Sequence, residues 1–424
     1  MDLLLTGTGP ASGFPVPGCP CATCRSAVSG LRAPQRPAEL RLDNHYRLDV
    51  DGVLHEPNGT GHRLQVGDRL ELPGILVRAL ASADDAVCLL IHPDDGPPLL
   101  WAPQAGQLPG STTAELSDVE LGTVILGLAP DIDPDDPWNA PSPVECALSL
   151  ARLRAVGAVG DRTVCLMIGT GHRQGPADRF AVCLQHWRVQ APPDGTRLTA
   201  GSAELPSEGT ELGDAPVPGG RTLVLGGSAS GKSGLAEDLL AAEPDVLYTA
   251  TGPVVDLRTS PDPEWERRVR RHRERRPSWW RTEETHLVAA LLAKSEQPIL
   301  LDSVGTWLTA VLDRAGAWQD AEGWPNRVAV ETDALVRAWR ARRSPLVAVS
   351  DEVGLGVVPA TSAGRLFRDE LGRLNRRLAD ESDQVLVVVA GRLLVPPEVS
   401  RPAPEVRRPD VSGPEVSGRS PGPQ

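Results

Sequence analysis

The pattern of apolar and polar positions changes character near residue 220. Before it, short apolar runs at 75–77, 86–91, 123–128 and 163–168, most of them flanked by Gly, Pro or Asp, each predict a strand. Between the last two, Ser142-Pro143-Val144-Glu145 reads as a capping box with proline at the first helical position, opening a helix to about residue 156. This half is expected to be a strand-rich α/β layer domain. Residues 200–220 are rich in Gly, Pro, Ser and acidic side chains without an apolar period, the composition of a linker.

From Arg221 onward the alternation is regular. Strands are expected at 222–225, 246–250, 298–301, 346–349 and 385–389, and helices at 233–242, 263–275, 304–314, 327–342 and 362–379. That order predicts a parallel sheet with right-handed crossovers. Ligands of such sheets sit beyond the carboxyl ends of the strands, which here carry Gly226, Thr251, Asp302 and Ser350. After about residue 395 Pro, Glu, Arg, Ser and Gly dominate without aliphatic clusters, so the chain to Gln424 is expected to be a disordered tail. The expected organisation is a domain over 1–200, a linker over 201–220, a second domain over 221–395 and a tail over 396–424. No internal repeat is visible.

The first strand of the alternating half runs into Gly226, Gly227, Ser228, Ala229, Ser230, Gly231, Lys232 and Ser233, a G-x-x-x-x-G-K-S phosphate-binding loop. Strand, glycine-rich turn and helix start let backbone N–H groups and the helix dipole cradle a polyphosphate, with Lys232 neutralising it and Ser233 holding Mg²⁺. Lys232 and Lys294 are the only lysines in the chain, so the pattern is hard to meet by chance. Asp302 closes its apolar run where P-loop enzymes place a carboxylate that binds the metal directly or through water; an Asp there also suits a helix cap.

Arginines at 267, 268, 270, 271, 273, 275 and 276 flank His272. A solvated helix face accounts for most of them on charge pattern alone. An imidazole among guanidiniums, however, is biased towards its neutral, nucleophilic form, and the same charges stabilise an attacked phosphate.

Composition narrows the partners. A formal charge of -13 argues against a general nucleic-acid or anionic-membrane binder, leaving small molecules. No stretch approaches the length of a membrane span and the start lacks a basic region before its leucines, so a cytoplasmic protein is expected. Seven cysteines in such a chain read as thiols or metal ligands, and Cys19, Cys21 and Cys24 crowd together.

The motifs taken together resemble a known family. Residues 226–233, Tyr248-Thr249-Ala250-Thr251, residues 264–276 with Pro277 and Trp280-Arg281-Thr282, Leu300-Leu301-Asp302, residues 352–359, Phe367-Arg368-Asp369 and Leu374-Asn375 look like the bifunctional adenosylcobinamide kinase and adenosylcobinamide-phosphate guanylyltransferase. The resemblance runs from about 221 to 392 and implies a P-loop NTPase-like parallel sheet. It implies phosphorylation of the aminopropanol hydroxyl of adenosylcobinamide, then transfer of GMP from GTP onto that phosphate through a guanylylated histidine, which falls on His272. Mg²⁺ would be required, with ATP and GTP as substrates. Further nucleotide contacts fall on Thr251, on Arg273, Glu274, Arg275 and Arg276, and on Glu284. The resemblance also implies a trimer. Asp351 stands where the family usually has Asn, and Trp265 where Met is common; both departures fall on substrate contacts. Two alternatives make different use of the same loop: a nucleotide-sensing, cobinamide-binding scaffold, and a P-loop kinase without nucleotidyl transfer.

The opening residues 3–9, Pro15-Val16-Pro17-Gly18-Cys19-Pro20-Cys21-Ala22-Thr23-Cys24 and Pro193-Asp194-Gly195-Thr196 resemble the metallo-β-lactamase superfamily, especially its phosphonate-pathway phosphodiesterase branch. This implies an αββα domain. The H-x-H-x-D-H cluster those hydrolases need is absent from the sequence, and Leu100-Trp101-Ala102-Pro103-Gln104-Ala105 takes its place, so a hydrolytically dead domain is expected. C-x-C-x-x-C supplies three soft ligands for structural Zn²⁺, or three thiols in a Pro-rich turn. By resemblance the fourth ligand is His172, with His186 second.

Overall fold

Residues 1–83, 86–128, 142–171, 177–201, 220–252, 267, 270 and 273–394 are described by the structure, a computed structural model. Alternating burial builds its first sheet from β1 (Asp2–Gly7), β2 (Glu39–Leu42), β3 (Tyr46–Asp49), β4 (Val53–His55), β5 (Gly61–Arg63) and the late strand β12 (Thr196–Thr199), all antiparallel in the order β12-β1-β2-β3-β4-β5. Leu3, Leu5, Leu40, Leu42, Leu48 and Leu54 point to one face and are buried. On the other face Glu39 pairs with Arg41 at 3.3 Å and Arg47 at 3.1 Å. Helix α1 (Ala22–Val28) follows β1.

The second sheet reads β11-β10-β9-β8-β7-β6. It is antiparallel through β6 (Arg69–Leu72), β7 (Ile75–Ala81), β8 (Val87–Pro93) and β9 (Leu99–Ala102), then parallel through β10 (Thr123–Gly127) and β11 (Val164–Ile168). Strands β9, β10 and β11 are buried on both faces. Val77, Leu89, Ile91, Trp101, Ile125 and Leu166 meet the leucines of the first sheet. Leu90, Leu100, Val124, Leu126 and Met167 lie in a second core with residues of α3 (Pro143–Ala155) and α4 (Ala177–Trp187), and Thr112 of α2 (Gly110–Glu115) donates to Ala81 O at 2.6 Å. Facing sheets with a helical layer agree with the layering expected of this half. The four expected strands became β7, β8, β10 and β11; the others are mostly three- or four-residue strands with alternate polar positions, too short for an apolar run to mark them. Ser142 caps α3 as expected.

The third sheet has the order β15-β14-β16-β17-β13-β18-β19. Strands β13 (Arg221–Gly226), β14 (Leu247–Ala250), β15 (Arg281–Glu284), β16 (Ile299–Asp302), β17 (Leu346–Asp351) and β18 (Gln384–Val389) are parallel, and β19 (Arg392–Leu394) closes one edge antiparallel. The helices are α5 (Lys232–Leu239), α6 (Val288–Lys294), α7 (Val304–Ala315), α8 (Trp324–Ala341) and α9 (Ser362–Asp380). Each expected strand is present. Strand β15, Arg-Thr-Glu-Glu, has no apolar residue and escaped the pattern because it is an exposed edge, where pairing rather than burial makes the strand. The helix expected at 263–275 lies largely outside the described residues.

One face of this sheet packs on α6 to α9 through Leu223, Leu301, Leu346 and Ala348. The other, with Val224, Leu300, Val347, Val349 and Val388, shares a core with α5 and with Cys183, Leu184 and Trp187 of α4. The two halves therefore pack into one compact unit over Met1–Leu394. Polar ties reinforce that seam: Arg179 with Asp238 at 2.5 Å, Trp187 Nε1 to Asp238 O at 2.7 Å, Arg154 to Ala242 O at 2.8 Å, and His186 Nε2 with Gln384 Oε1 at 2.9 Å. Residues 202–219 of the expected linker and the expected tail lie outside the described residues.

Candidate active site

Strand β13 lies inside its sheet, between β17 and β18, and ends in a turn that demands glycine. A Cβ on Gly226 would stand 2.5 Å from Ser230 Oγ and 2.7 Å from Val388 O, and Gly231 enters α5 with φ at +96°. Ala229 also lies in the left-handed region, at φ +55°, which costs a non-glycine residue about 1–2 kcal/mol. The closed loop carries that cost: Gly391 N donates to Ser230 O at 2.9 Å from the neighbouring strand connection. Gly227, Ser228 and Ala229 form an exposed rim, while Ser233, one residue into α5, is half-buried.

Lys232 opens α5 and is buried. Its Nζ donates to Gly227 O at 3.1 Å and meets Asp351 Oδ1 at 2.8 Å. Strand register explains the second partner, because Asp351 lies directly opposite Gly226. Asn375 of α9 donates to Asp351 O at 3.1 Å and accepts from the buried Ser350 hydroxyl at 2.7 Å, fixing the end of β17.

Asp302 ends β16, in register with Ala250 on one side and Val349 on the other. The Tyr248 hydroxyl donates to Asp302 Oδ2 at 2.5 Å. Burial, and then the charge of Asp302, push the Tyr248 pKa up, so this phenol keeps its proton and donates. Above the Tyr248 ring lies the Arg276 guanidinium, 3.5 Å from the centroid, and desolvation lowers the pKa of that arginine. Arg275 reaches the P-loop helix, where Nε and Nη2 meet the buried Glu237 at 3.0 and 3.2 Å. Arg273 pairs with Glu284 at 3.2 Å. The hydroxyl of Thr251 is buried and committed to the turn after Asp302, donating to Ser303 O at 2.6 Å and accepting from Ser303 N at 3.0 Å.

The carboxyl edge of the sheet thus gathers the loop at 226–233, Asp302, Thr251, Glu284, and Arg273, Arg275 and Arg276, with Glu274 exposed on the same turn. His272 lies outside the described residues, immediately before Arg273. Three participants had not been singled out from the sequence for these roles: Glu237, Tyr248 and, as the partner of Lys232, Asp351. Glu237 carried no signal of its own, because the short helix also holds Lys232, Ser233 and Asp238, and an adjacent Glu-Asp pair reads as a solvated face. Tyr248 is one of two tyrosines and sits inside a strand, which reads as core until Asp302 is placed beside it.

In the first half Cys19, Cys21 and Cys24 bring their sulfurs within 4.8 Å of one another, the one such ligand cluster among the described residues. Cys21 Sγ also caps α1 by accepting from Cys24 N at 3.3 Å. Burial, opposed by a backbone hydrogen bond and assisted by the neighbouring thiols, pushes the Cys24 thiol up to about 12. None of the seven cysteines forms a disulfide. His172 lies outside the described residues, and His186 is engaged with Gln384 at the seam. Leu100, Trp101, Ala102, Pro103 and Ala105 are buried apolar residues, and Gln104 donates to Val50 O at 3.0 Å. Among the described residues no helix is long and apolar enough to cross a membrane.

Residues 222–395 match the family described as cobinamide kinase / cobinamide phosphate guanyltransferase. The bifunctional adenosylcobalamin biosynthesis protein CobU of Salmonella typhimurium is 37% identical over 178 residues, covering 40% of this chain and 95% of that protein. CobP of Pseudomonas aeruginosa, a protein of the same description, is 38% identical over 177 residues, 40% of this chain and 94% of its own length. Among solved structures, Zn²⁺-bound PqqB from Methylobacterium extorquens aligns with a TM-score of 0.34 and 12% identity over 47% of this chain and all of that one. A diphosphatase of the PhnP family aligns with a TM-score of 0.28 and 13% identity over 46% of this chain and 96% of its own.

Proposed function

The chain belongs to the cobinamide kinase / cobinamide phosphate guanyltransferase family, and from that premise we propose how its own residues carry out two successive transfers at one loop. The observation that carries the reading is the convergence on Lys232: a buried ammonium over a phosphate-binding turn, with Asp302 on the same sheet edge and Arg275 tied to the helix that Lys232 begins.

In the first transfer a nucleoside triphosphate lies along the N–H groups of 227–233. Its γ-phosphorus is attacked by the aminopropanol hydroxyl of adenosylcobinamide; the bond to the β-phosphate oxygen breaks, the diphosphate leaves and the hydroxyl proton is lost. Lys232 neutralises the β and γ oxygens as charge shifts onto them, exchanging the carboxylate of Asp351 for phosphate. A half-buried hydroxyl at Ser233 and a strand-end carboxylate at Asp302 are hard oxygen donors that suit Mg²⁺, which when bound supplies further neutralisation of the phosphates. Tyr248, by donating to Asp302, orients that carboxylate.

In the second transfer an imidazole nitrogen of His272 attacks the α-phosphorus of GTP, pyrophosphate leaves, and a phosphate oxygen of adenosylcobinamide phosphate then displaces the histidine to give adenosylcobinamide-GDP. Arg273, Arg275 and Arg276 follow His272 directly, and Arg275 and Arg276 are held by Glu237 and Tyr248. Arg276 stays charged despite its lowered pKa, because an arginine has far to fall before it loses its proton. Labelled GTP tests this: an acid-labile, base-stable GMP adduct lost in His272→Ala supports it, whereas cobinamide phosphorylation without any adduct leaves only the kinase step.

We assign the rest of the chain as follows. Residues 1–200 form a hydrolytically inactive domain, 201–220 a linker, 221–395 the catalytic domain and 396–424 a tail. Cys19, Cys21 and Cys24 hold structural Zn²⁺ with His172 as the fourth ligand, since three clustered thiols at this spacing suit a soft-ligand tetrahedral ion. The protein works in the cytoplasm as a homo-oligomer of three copies.

A further inference from the structure

The loop that leaves β17 is built in two parts. Its base is fixed. Glu352 N donates to Gly226 O at 3.1 Å, Gly354 N to Glu352 Oε1 at 2.9 Å, and Arg368 of α9 to Gly354 O at 2.8 Å. At its far end Arg365 donates to Pro359 O at 3.0 Å and Ala360 O at 2.8 Å, before Thr361 caps α9. Its tip carries three aliphatic side chains in four residues, Leu355, Val357 and Val358, exposed by 83, 95 and 63%. No other four-residue stretch among the described residues exposes three large aliphatic side chains. Between Val353 and Pro359 there is no charged or hydrogen-bonding side chain.

Apolar side chains held out on fixed backbone are a surface waiting to be covered. The place of this one limits what covers it. Asp351, at the start of the loop, touches Lys232 at 2.8 Å, and Leu355 is four residues further on, within about 14 Å of chain at full extension. The tip is therefore close enough to meet the bulk of an acceptor whose hydroxyl meets phosphate at Lys232. For adenosylcobinamide the hydroxyl ends a short aminopropanol arm, and the bulk is a wide macrocycle edged with methyl groups and uncharged amides. The methyl groups of such an edge suit aliphatic contact, and its amides carry no charge that needs an ionic partner.

We propose that the tip of this loop recognises the acceptor, with Leu355, Val357 and Val358 lying against the methyl-bearing edge of the corrin macrocycle while its aminopropanol arm enters at Lys232. This rests on the reading of the site as a cobinamide kinase. A second copy of the chain is the competing occupant, and it differs in what substitution would change.

The test uses the full chain with Leu355→Asn, Val357→Asn and the conservative Val357→Ile, loaded with a non-hydrolysable nucleotide. Binding of adenosylcobinamide is followed by its visible absorbance, nucleotide binding by displacement of a fluorescent analogue, and mass by light scattering. Each Asn variant is expected to weaken adenosylcobinamide binding about tenfold, the scale of losing most of one buried aliphatic contact, with nucleotide affinity and mass unchanged and Val357→Ile near wild type. Unchanged adenosylcobinamide affinity in both Asn variants overturns the proposal, and a fall in mass alongside it assigns the tip to a second copy. Because binding is read without turnover, absent phosphorylation by the wild-type chain would count against the kinase reading separately.

Discussion

Glu237→Gln isolates the tie between the P-loop helix and the arginine segment. Glu237 is buried and accepts two N–H groups of Arg275, at 3.0 and 3.2 Å, while Arg275 itself is partly exposed. The carboxamide keeps the shape but loses the charge and one acceptor. A hydrogen bond to a charged group is worth about 1.5–3 kcal/mol. Exposure of the arginine screens the pair, so the expected loss is about 2 kcal/mol in total. Arg275 stands three residues after His272, so seating that segment should depend on the pair more than phosphate binding at 227–233 does. If the whole loss falls on seating, guanylylation by GTP slows about 30-fold while phosphorylation of adenosylcobinamide slows less than about threefold. Single-turnover formation of the GMP adduct and steady-state kinase turnover measure the two. A double-mutant cycle with Arg275→Gln should give a coupling of about 1–2 kcal/mol in the guanylylation rate. A coupling under about 0.5 kcal/mol, or equal loss of both activities, refutes the tie as a positioning device.

Three further outcomes are expected. Tyr248→Phe keeps the ring under Arg276 but removes the donor to Asp302 Oδ2, so the Mg²⁺ concentration for half-maximal kinase activity should rise several-fold with nucleotide affinity little changed in titration without metal. His186 has its pKa lowered by burial at the seam; it is neutral when folded and binds a proton more readily when unfolded, so stability present above about pH 6.5 is lost as pH falls towards the folded pKa, and His186→Gln should flatten that acid decline in urea midpoints. Metal analysis of chain purified without chelator should find one Zn²⁺ per chain, falling below about 0.2 in Cys24→Ala.

The catalytic half was legible because its chemistry and its fold share one pattern. An apolar run closed by Gly226 or Asp302 marks at once a strand, its carboxyl end and a ligand edge. What stayed hidden depends on which strands are neighbours. Asp351 reads as a departure from a family pattern until register sets it opposite Gly226 and against Lys232. The arginines around His272 read as a solvated face on charge alone, yet Arg275 and Arg276 are tied down by Glu237 and Tyr248, residues 38 and 28 positions earlier in the chain. Thr251 follows the carboxyl end of β14, but its hydroxyl serves the turn at Ser303. In the first half most strands are too short to leave a run, and the seam with α5 could not be read because α4 and the third sheet are separated by an acidic, Pro-rich stretch.

The central claim is that one histidine carries GMP between two substrates held at one loop. The most direct measurement isolates enzyme bearing radiolabelled GMP, removes GTP, and adds adenosylcobinamide phosphate in a single-turnover chase. Label passing stoichiometrically into adenosylcobinamide-GDP, at a rate no slower than steady-state turnover, is the predicted result. Label that stays on the protein, or leaves as free GMP, contradicts it.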